Sequence, residues 1–304
     1  MACLNSTGRI TLPLRWGDPV ARQVPLWIRW EEYFPKYFRA SRFEDVSFLQ
    51  LGAHCGKNTY SCAGGGDPIW SYATACGWKG VAVEPVSYVF AKLCYNYLRW
   101  PAVVPLRGAC WSAPGQAQIS LGFGEDNWLA LAPRQGQRSR GAKSQRVPLL
   151  TLAELWQAAL RASAADSEHA VALPRAPDIL VMDVEGAEAM CLLGGSGGGG
   201  SSGAESSAVW SPLAMLQPPP TLILFEAVWL TAANMSAIDA YLRASGYRML
   251  AALPNWNPQT NSPHRFAANR LYGLKVRNRD GSVSPKGRDT VGGGWAGPSA
   301  SPVT

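Results

Sequence analysis

Short apolar runs alternate with amphipathic stretches along this chain. Val46–Leu51, Gly80–Glu84, Ile179–Asp183 and Thr221–Glu226 are mainly apolar and bounded by turn residues, the pattern of strands buried on both faces of a parallel sheet. Val103–Ala109 is a fifth run of this kind. Between them the apolar positions take helical spacing. Asp67-Pro68 reads as an N-cap and first-turn proline ahead of Ile69, Tyr72, Ala73 and Cys76, with Gly77 as the stop. Ser87 is placed to cap a helix whose stripe is Val89, Phe90, Leu93, Cys94, Tyr97 and Leu98. Thr151 and Glu154 have capping-box spacing before Leu152, Leu155, Trp156, Ala159 and Leu160. A further helix, Ser236–Ala244, closes at Gly246. Alternating strand and helix predicts an α/β fold, a parallel sheet with helices on both faces. Tyr247–Leu253 and Leu271–Val276 predict a terminal antiparallel pair.

The domain spans residues 46–276 in this reading, after an N-terminal extension at 1–45 and before a tail at 277–304. The tail is polar and rich in Gly, Ser and Pro, which predicts disorder. Flexible insertions are expected near 133–146 and over 194–207, the latter almost entirely Gly and Ser.

Composition narrows the class. Hydrophobic residues make up 47% of the 304 and charged residues 16%, enough for a sizeable core. No run reaches the roughly 18 apolar residues that span a bilayer. The first residues lack a secretory pattern, and a cytoplasmic location is expected, with organelle targeting left open. Seven scattered Cys without a CxxC pair read as reduced, buried thiols, and three dispersed His make no zinc cluster. The net charge of +7 owes much to Arg134, Arg138, Arg140, Lys143 and Arg146, read as a solvated insertion, with contact to an acidic substrate as the alternative.

The candidate chemistry lies at strand ends. Gln50-Leu51-Gly52-Ala53-His54-Cys55-Gly56 follows the first strand. Gly52 and Gly56 let a ligand lie against backbone, Ala53 keeps the turn narrow, and free N–H groups there are expected to meet the ligand. Glu84, at the tip of the second strand and followed by Pro85, is placed to accept two ribose hydroxyls. The spacing Gly52-x-x-x-Gly56 is not the GxGxxG of a dinucleotide site, and the helix is delayed to about Asp67. A nucleoside ligand without pyrophosphate suits this loop, and S-adenosylmethionine (SAM) is that ligand. Asp183, Glu185 and Glu188 crowd the end of the fourth strand. Asp183 is placed best to orient a hydroxyl or take its proton, with Glu185 second. Glu188 reads as a helix-start carboxylate. The reading assigns no metal, although Asp183 and Glu185 together could hold a divalent cation.

With these pieces in order the chain resembles the FkbM-type methyltransferases. The matching text is FLQLGAHCGKNTY, DPIWSYATACGWKGVAVEPVSYVFAKLCYNY, DILVMDVEGAE and TLILFEAVWL. The resemblance implies a class I SAM-dependent methyltransferase with a seven-stranded, mostly parallel, Rossmann-like sheet and an antiparallel C-terminal strand. It also implies O-directed transfer to a small molecule or glycan. By position, Gln50, Gly52, Ala53, His54, Gly56, Glu84 and Pro85 would hold the donor, and Asp183 and Glu185 would face the reaction centre. Gln50 replaces an acid common in such folds, and His54 stands where Asn or Asp is usual. A non-catalytic SAM-binding module and an RNA methyltransferase are the rival readings; no aromatic-and-basic platform accompanies the Arg-rich stretch. The acceptor side is expected in the N-terminal segment, 112–146 and 254–264; Trp128, Trp229 and Trp256 are read first as core packing, with stacking on a sugar or ring as the alternative.

Overall fold

A computed structural model describes residues 28, 30–38, 40–56, 67–121, 143–165, 172–194, 212–253, 256–257, 262–263 and 269–275. The chain divides into two units, Met1–Leu274 and Lys275–Thr304, and every described strand and helix belongs to the first. The expected tail at 277–304 and the Gly/Ser stretch beyond Gly194 lie outside the described residues.

Twelve strands are described: β1 Ser47–Leu51, β2 Lys79–Val83, β3 Val103–Leu106, β4 Ala109–Cys110, β5 Gly115–Leu121, β6 Lys143–Leu150, β7 Ile179–Met182, β8 Leu222–Glu226, β9 Tyr247–Leu253, β10 Trp256–Asn257, β11 Ser262–Pro263 and β12 Asn269–Leu274. The main sheet has seven strands in the order β3-β2-β1-β7-β8-β12-β9. Its first five are parallel, while β12 runs antiparallel to both β8 and β9. This is the class I methyltransferase fold.

The helices are α1 Trp30–Tyr33, α2 Trp70–Cys76, α3 Ser87–Tyr97, α4 Leu152–Ala165, α5 Glu188–Leu193 and α6 Ala232–Ala244. Side chains alternate across a strand, so each buried strand supplies two cores. Phe48, Ala82, Val181 and Leu224 pack with Tyr72 of α2 and Leu93 and Tyr97 of α3. Leu49, Val81, Leu180 and Ile223 pack on the other face with α4, α5 and α6. The stretch before Val46, expected to be an extension, contributes Trp30, Phe34 and Phe43 to the first core, each fully buried. There Trp78 stacks on Tyr72 and donates its indole N–H to the Phe43 carbonyl.

Local signals set several boundaries. Asp67 Oδ1 accepts from the N–H groups of Ile69 and Trp70 and so leads the chain into α2, but the helix begins at Trp70 with Ile69 at its N-cap, later than the expected Asp-Pro start; Gly77 ends it in the left-handed region. Thr151 and Glu154 exchange the two bonds of a capping box. Ser87 does not cap α3. It lies within the helix and donates its N–H to Gln145 Oε1, while Glu84 takes the N–H of Val86. α6 starts at Ala232, before the expected Ser236, because Thr231 caps it through Asn234 N–H.

Two expectations fail outside the main sheet. Val103–Ala109 is not one strand: it breaks after Leu106, and Ala109–Cys110 joins a separate sheet ordered β4-β6-β5. Lys143–Arg146, expected in a mobile insertion, form the first half of β6 and pair with β5.

The thiols differ too. Cys94, Cys110 and Cys191 are free, but Cys55 and Cys76 are disulfide-bonded, which corrects the reading of uniformly reduced cysteines. Alkylation of unfolded protein without reductant is therefore expected to label Cys94, Cys110 and Cys191 and spare Cys55 and Cys76. Peptide mass mapping checks this, with full labelling after reduction as the control.

Candidate active site

The chain leaves β1 toward β2 on one side and returns as β7 on the other. Such a reversal opens a crevice at the carboxyl ends of the strands, where open α/β sheets bind ligands. The loop after β1 and the turn after β7 meet there.

Residues 52–56 make a tight turn fastened to β2. Gly52 and Ala53 both donate N–H to the Val83 carbonyl, at 3.0 and 2.9 Å, and Gly56 N–H donates to Ala53. His54 N–H donates to the Glu84 carboxylate, and its φ of 49° is in the left-handed region. The amides of Gly52, Ala53, His54 and Gly56 are thus spent within the protein, against the expectation that they are free for a ligand. The glycines also have a different reason from the expected one. A Cβ on Gly52 would sit 1.7 Å from the Asp183 carbonyl oxygen, and one on Gly56 would sit 2.5 Å from the Tyr97 ring. They permit close packing of backbone on β7 and α3, with positive φ at both.

Polar side chains gather around this turn. Gln50 is buried and donates its amide to Asp67 Oδ2, while Gln50 Oε1 and the Tyr97 hydroxyl have no hydrogen-bond partner among the described residues. From sequence Asp67 is only a helix cap. Its Oδ2 accepts from the Gln50 amide, a placement visible only once β1 and α2 are packed. Glu84 is 4% exposed, and its Oε1 accepts from Val86 N–H at 2.8 Å. Through Val86 and His54 this one carboxylate ties the loops after β1 and β2 together.

A second acidic group lies beyond β7. Asp183 hydrogen-bonds Glu226, which terminates the neighbouring strand β8. Glu185 occupies the left-handed region at φ 55°, an uncommon conformation for a residue with a side chain. Glu188 Oε1 accepts the N–H of Val184 across the start of α5, the structural role expected of it. Glu226 is not a candidate from sequence, although the strand ending in it is predicted. Oxygens of Asp183, Glu185 and Glu226 lie within 4.8 Å of one another, a spacing that suits a cation. A bond between two carboxyl groups, however, needs a proton on one of them. Unless a cation lies between them, the close approach of the Asp183 and Glu226 carboxyl groups calls for a shared proton.

Beside the loop is a mainly apolar cleft lined by Leu51, Gly52, Val83, Pro85, Gly108, Ala109, Cys110 and Val184. Pro85 is an expected member. Gly108, Ala109 and Cys110 are not, because the apolar run Val103–Ala109 hides the break after β3. Trp229, one of the stacking candidates, is partly exposed and backs onto Gly186 beside Glu185. Trp128 lies outside the described residues, and of Trp256 only its place in β10 is described.

Burial dominates the electrostatics. It pushes Glu84 up to about 7, Glu188 up to about 8 and Glu226 up to about 10, and it raises Asp67 and Asp183 as well. Neighbouring carboxylates add to the rise in Asp67, Glu84, Glu188 and Glu226. The ion pairs Arg42–Asp178 and Lys79–Asp45 lie at the opposite ends of the strands and offer no relief. Unfolded glutamates ionise near 4.5, the folded ones only near 7 and 8, so the folded state binds the extra protons. Stability present below about pH 4.5 is then lost as pH rises through that window. The thermal midpoint of the ligand-free protein is expected to fall between pH 5 and pH 9, as scanning calorimetry would record.

Sheet order, crevice and carboxylates define a class I methyltransferase. The methyltransferase FkbM domain family matches residues 52–249, the greater part of the sequence, and the chain belongs to that family. No curated protein matches it significantly. Among solved structures it is similar to precorrin-6Y C5,15-methyltransferase from Geobacter metallireducens, at 10% identity and TM-score 0.37, covering 76% of this chain and 80% of that one. It is also similar to methyltransferase FkbM from Methylobacillus flagellatus, at 11% identity and TM-score 0.39. That match covers 84% of this chain and only 57% of the other. A third is the fibrillarin pre-rRNA processing protein of Methanococcus jannaschii, at 10% identity and TM-score 0.34, with coverage of 75% and 66%. Similarities of this strength say nothing about substrate.

Proposed function

We propose that this methyltransferase moves the methyl group of SAM to a hydroxyl oxygen of a small molecule or sugar. The observation that carries the reading is the set of carboxylates gathered at the strand tips: Asp67 and Glu84, which are buried, with Asp183 and Glu226, which are partly buried. The sulfonium and ammonium of SAM are cations, and a cation makes such a cluster cheaper to ionise.

The residues present fit this donor. Gln50 Oε1, buried and without a hydrogen-bond partner among the described residues, and Asp67 Oδ2 are acceptors for the ammonium. Glu84 is the acceptor for the ribose hydroxyls, and the base is assigned to the apolar cleft along Pro85 and Gly108–Cys110. The donor supplies an activated methyl group: the O–CH3 bond forms as the S–CH3 bond breaks, and the electron pair stays on sulfur. What remains to the protein is positioning, exclusion of water and removal of the hydroxyl proton. Asp183 and Glu185 take the last role in this reading, with Asp183 first. Incubation with methyl-labelled SAM and a fractionated metabolite pool tests the proposal. Label on a hydroxyl-derived ether supports it; S-adenosylhomocysteine formed without any labelled acceptor refutes it.

Glu84→Gln keeps a carbonyl for the Val86 and His54 amides but lacks the charged acceptor. SAM affinity is expected to fall at least about tenfold, the loss of a hydrogen bond to a charged group. The thermal midpoint at pH 8 should hold or rise, since a buried charge is gone. Calorimetric titration beside a melting curve reads both.

The disulfide-bonded Cys55 and Cys76 favour an oxidising compartment over the cytoplasmic location inferred from the sequence. Among the described residues no helix is long and apolar enough to cross a membrane.

A further inference from the structure

We propose that Asp183 and Glu226 share a proton that leaves when the sulfonium donor docks, and that the pair regains a proton from the acceptor hydroxyl during transfer. The inference rests on the donor assignment above and adds Glu226 to the site as the residue that positions Asp183.

The geometry comes from the sheet. β7 and β8 are parallel neighbours with Met182 opposite Phe225, so Asp183 and Glu226 are the next pair in register, at the strand tips. Their carboxyl oxygens lie within 4.8 Å of each other and of Glu185, and two carboxyl groups that close hydrogen-bond through one shared proton. Burial and the neighbouring carboxylates raise the proton affinity of Glu226, so in this proposal Glu226 carries the shared proton and Asp183 accepts it. The Asp183 carbonyl packs against Gly52, so the pair adjoins the turn that bears the donor site.

Among the described residues, the charged groups shown to act on the pair are carboxylates. Glu185 comes from the turn after β7, Glu188 from α5, Glu84 from the tip of β2 and Asp67 from the segment before α2. No cationic side chain among the described residues pairs with Asp183 or Glu226. A second ionisation is therefore resisted until a positive charge arrives beside the pair, and then it is favoured. As the O–CH3 bond forms, the acceptor's hydroxyl proton passes to Asp183, where Glu226 again holds it. The sulfur is then neutral, and the charge that kept the pair ionised is gone. Protons balance over the cycle: one released on donor binding, one regained from the acceptor.

This can be tested without knowing the acceptor. SAM and S-adenosylhomocysteine share adenosine and amino acid and differ by a methyl group and the charge on sulfur. Groups that read the common parts, Glu84 and Asp67 among them, cancel in the comparison. Each ligand is titrated calorimetrically at pH 7.5 in buffers of differing ionisation enthalpy, and the slope counts protons. SAM is expected to release between about half and one proton more than S-adenosylhomocysteine. Glu226→Gln preserves shape and a donor to Asp183 but cannot ionise, and should abolish that difference while still binding SAM. Asp183→Asn, which leaves no charge to trap the proton on Glu226, should also abolish it. Equal proton counts for the two ligands in the wild type, or a difference that survives in both variants, overturns the inference. Failure of SAM to bind the wild type overturns the donor assignment beneath it, which is a separate result.

Discussion

Asp183→Asn is expected to keep SAM affinity within about tenfold of the wild type and to lower methyl transfer by about a thousandfold. Asn matches Asp in size and still presents a carbonyl oxygen to Glu226. It cannot take the proton of an attacking hydroxyl. General-base removal of that kind is worth roughly two to four orders of magnitude, and a thousandfold is about 4 kcal/mol of barrier. Binding by calorimetry and single-turnover transfer separate the two effects. If affinity and transfer fall together, Asp183 holds the turn after β7 in place and is not a base.

Gly52→Ala is expected to destabilise the fold by about 3 kcal/mol or more, since overpacking and a left-handed side chain add. The added Cβ would lie 1.7 Å from the Asp183 carbonyl oxygen, which is backbone and cannot swing away. The φ of 73° at this position is strained for any residue with a side chain. Relief would have to part β1 from β7 at the crevice, so SAM binding should be lost as well. A urea titration by circular dichroism measures the loss; a midpoint equal to that of the wild type would mean that the turn is loose.

Gly52 and Asp183 also show how far local sequence reaches. Strands β1, β2, β7 and β8 carry apolar side chains on both faces, and such runs announce buried parallel strands without tertiary information. The bonds by which Asp67 leads into α2 and the Thr151–Glu154 box are legible because such contacts are decided within a few residues. β5 and β6 are not: Gln116, Gln118, Gln145 and Arg146 make them polar, and their pairing across the intervening segment supplies what composition does not. Within the site, the order of Gly52, Glu84 and Asp183 is evident from strand tips alone. The reason for Gly52 is not, because the atom that excludes a side chain there is 131 residues away in sequence. Glu226 escapes sequence reading for the same reason, since its meaning depends on Asp183 lying opposite. The disulfide bonding of Cys55 and Cys76 leaves no mark on local sequence at all.

The central claim is that the crevice at the carboxyl ends of β1, β2 and β7 binds SAM. Isothermal titration of SAM into the wild-type protein tests it most directly. Saturable binding at one site per chain is predicted, competed by S-adenosylhomocysteine and weakened at least about tenfold by Glu84→Gln. Absence of binding at millimolar SAM, or binding indifferent to Glu84, would contradict it.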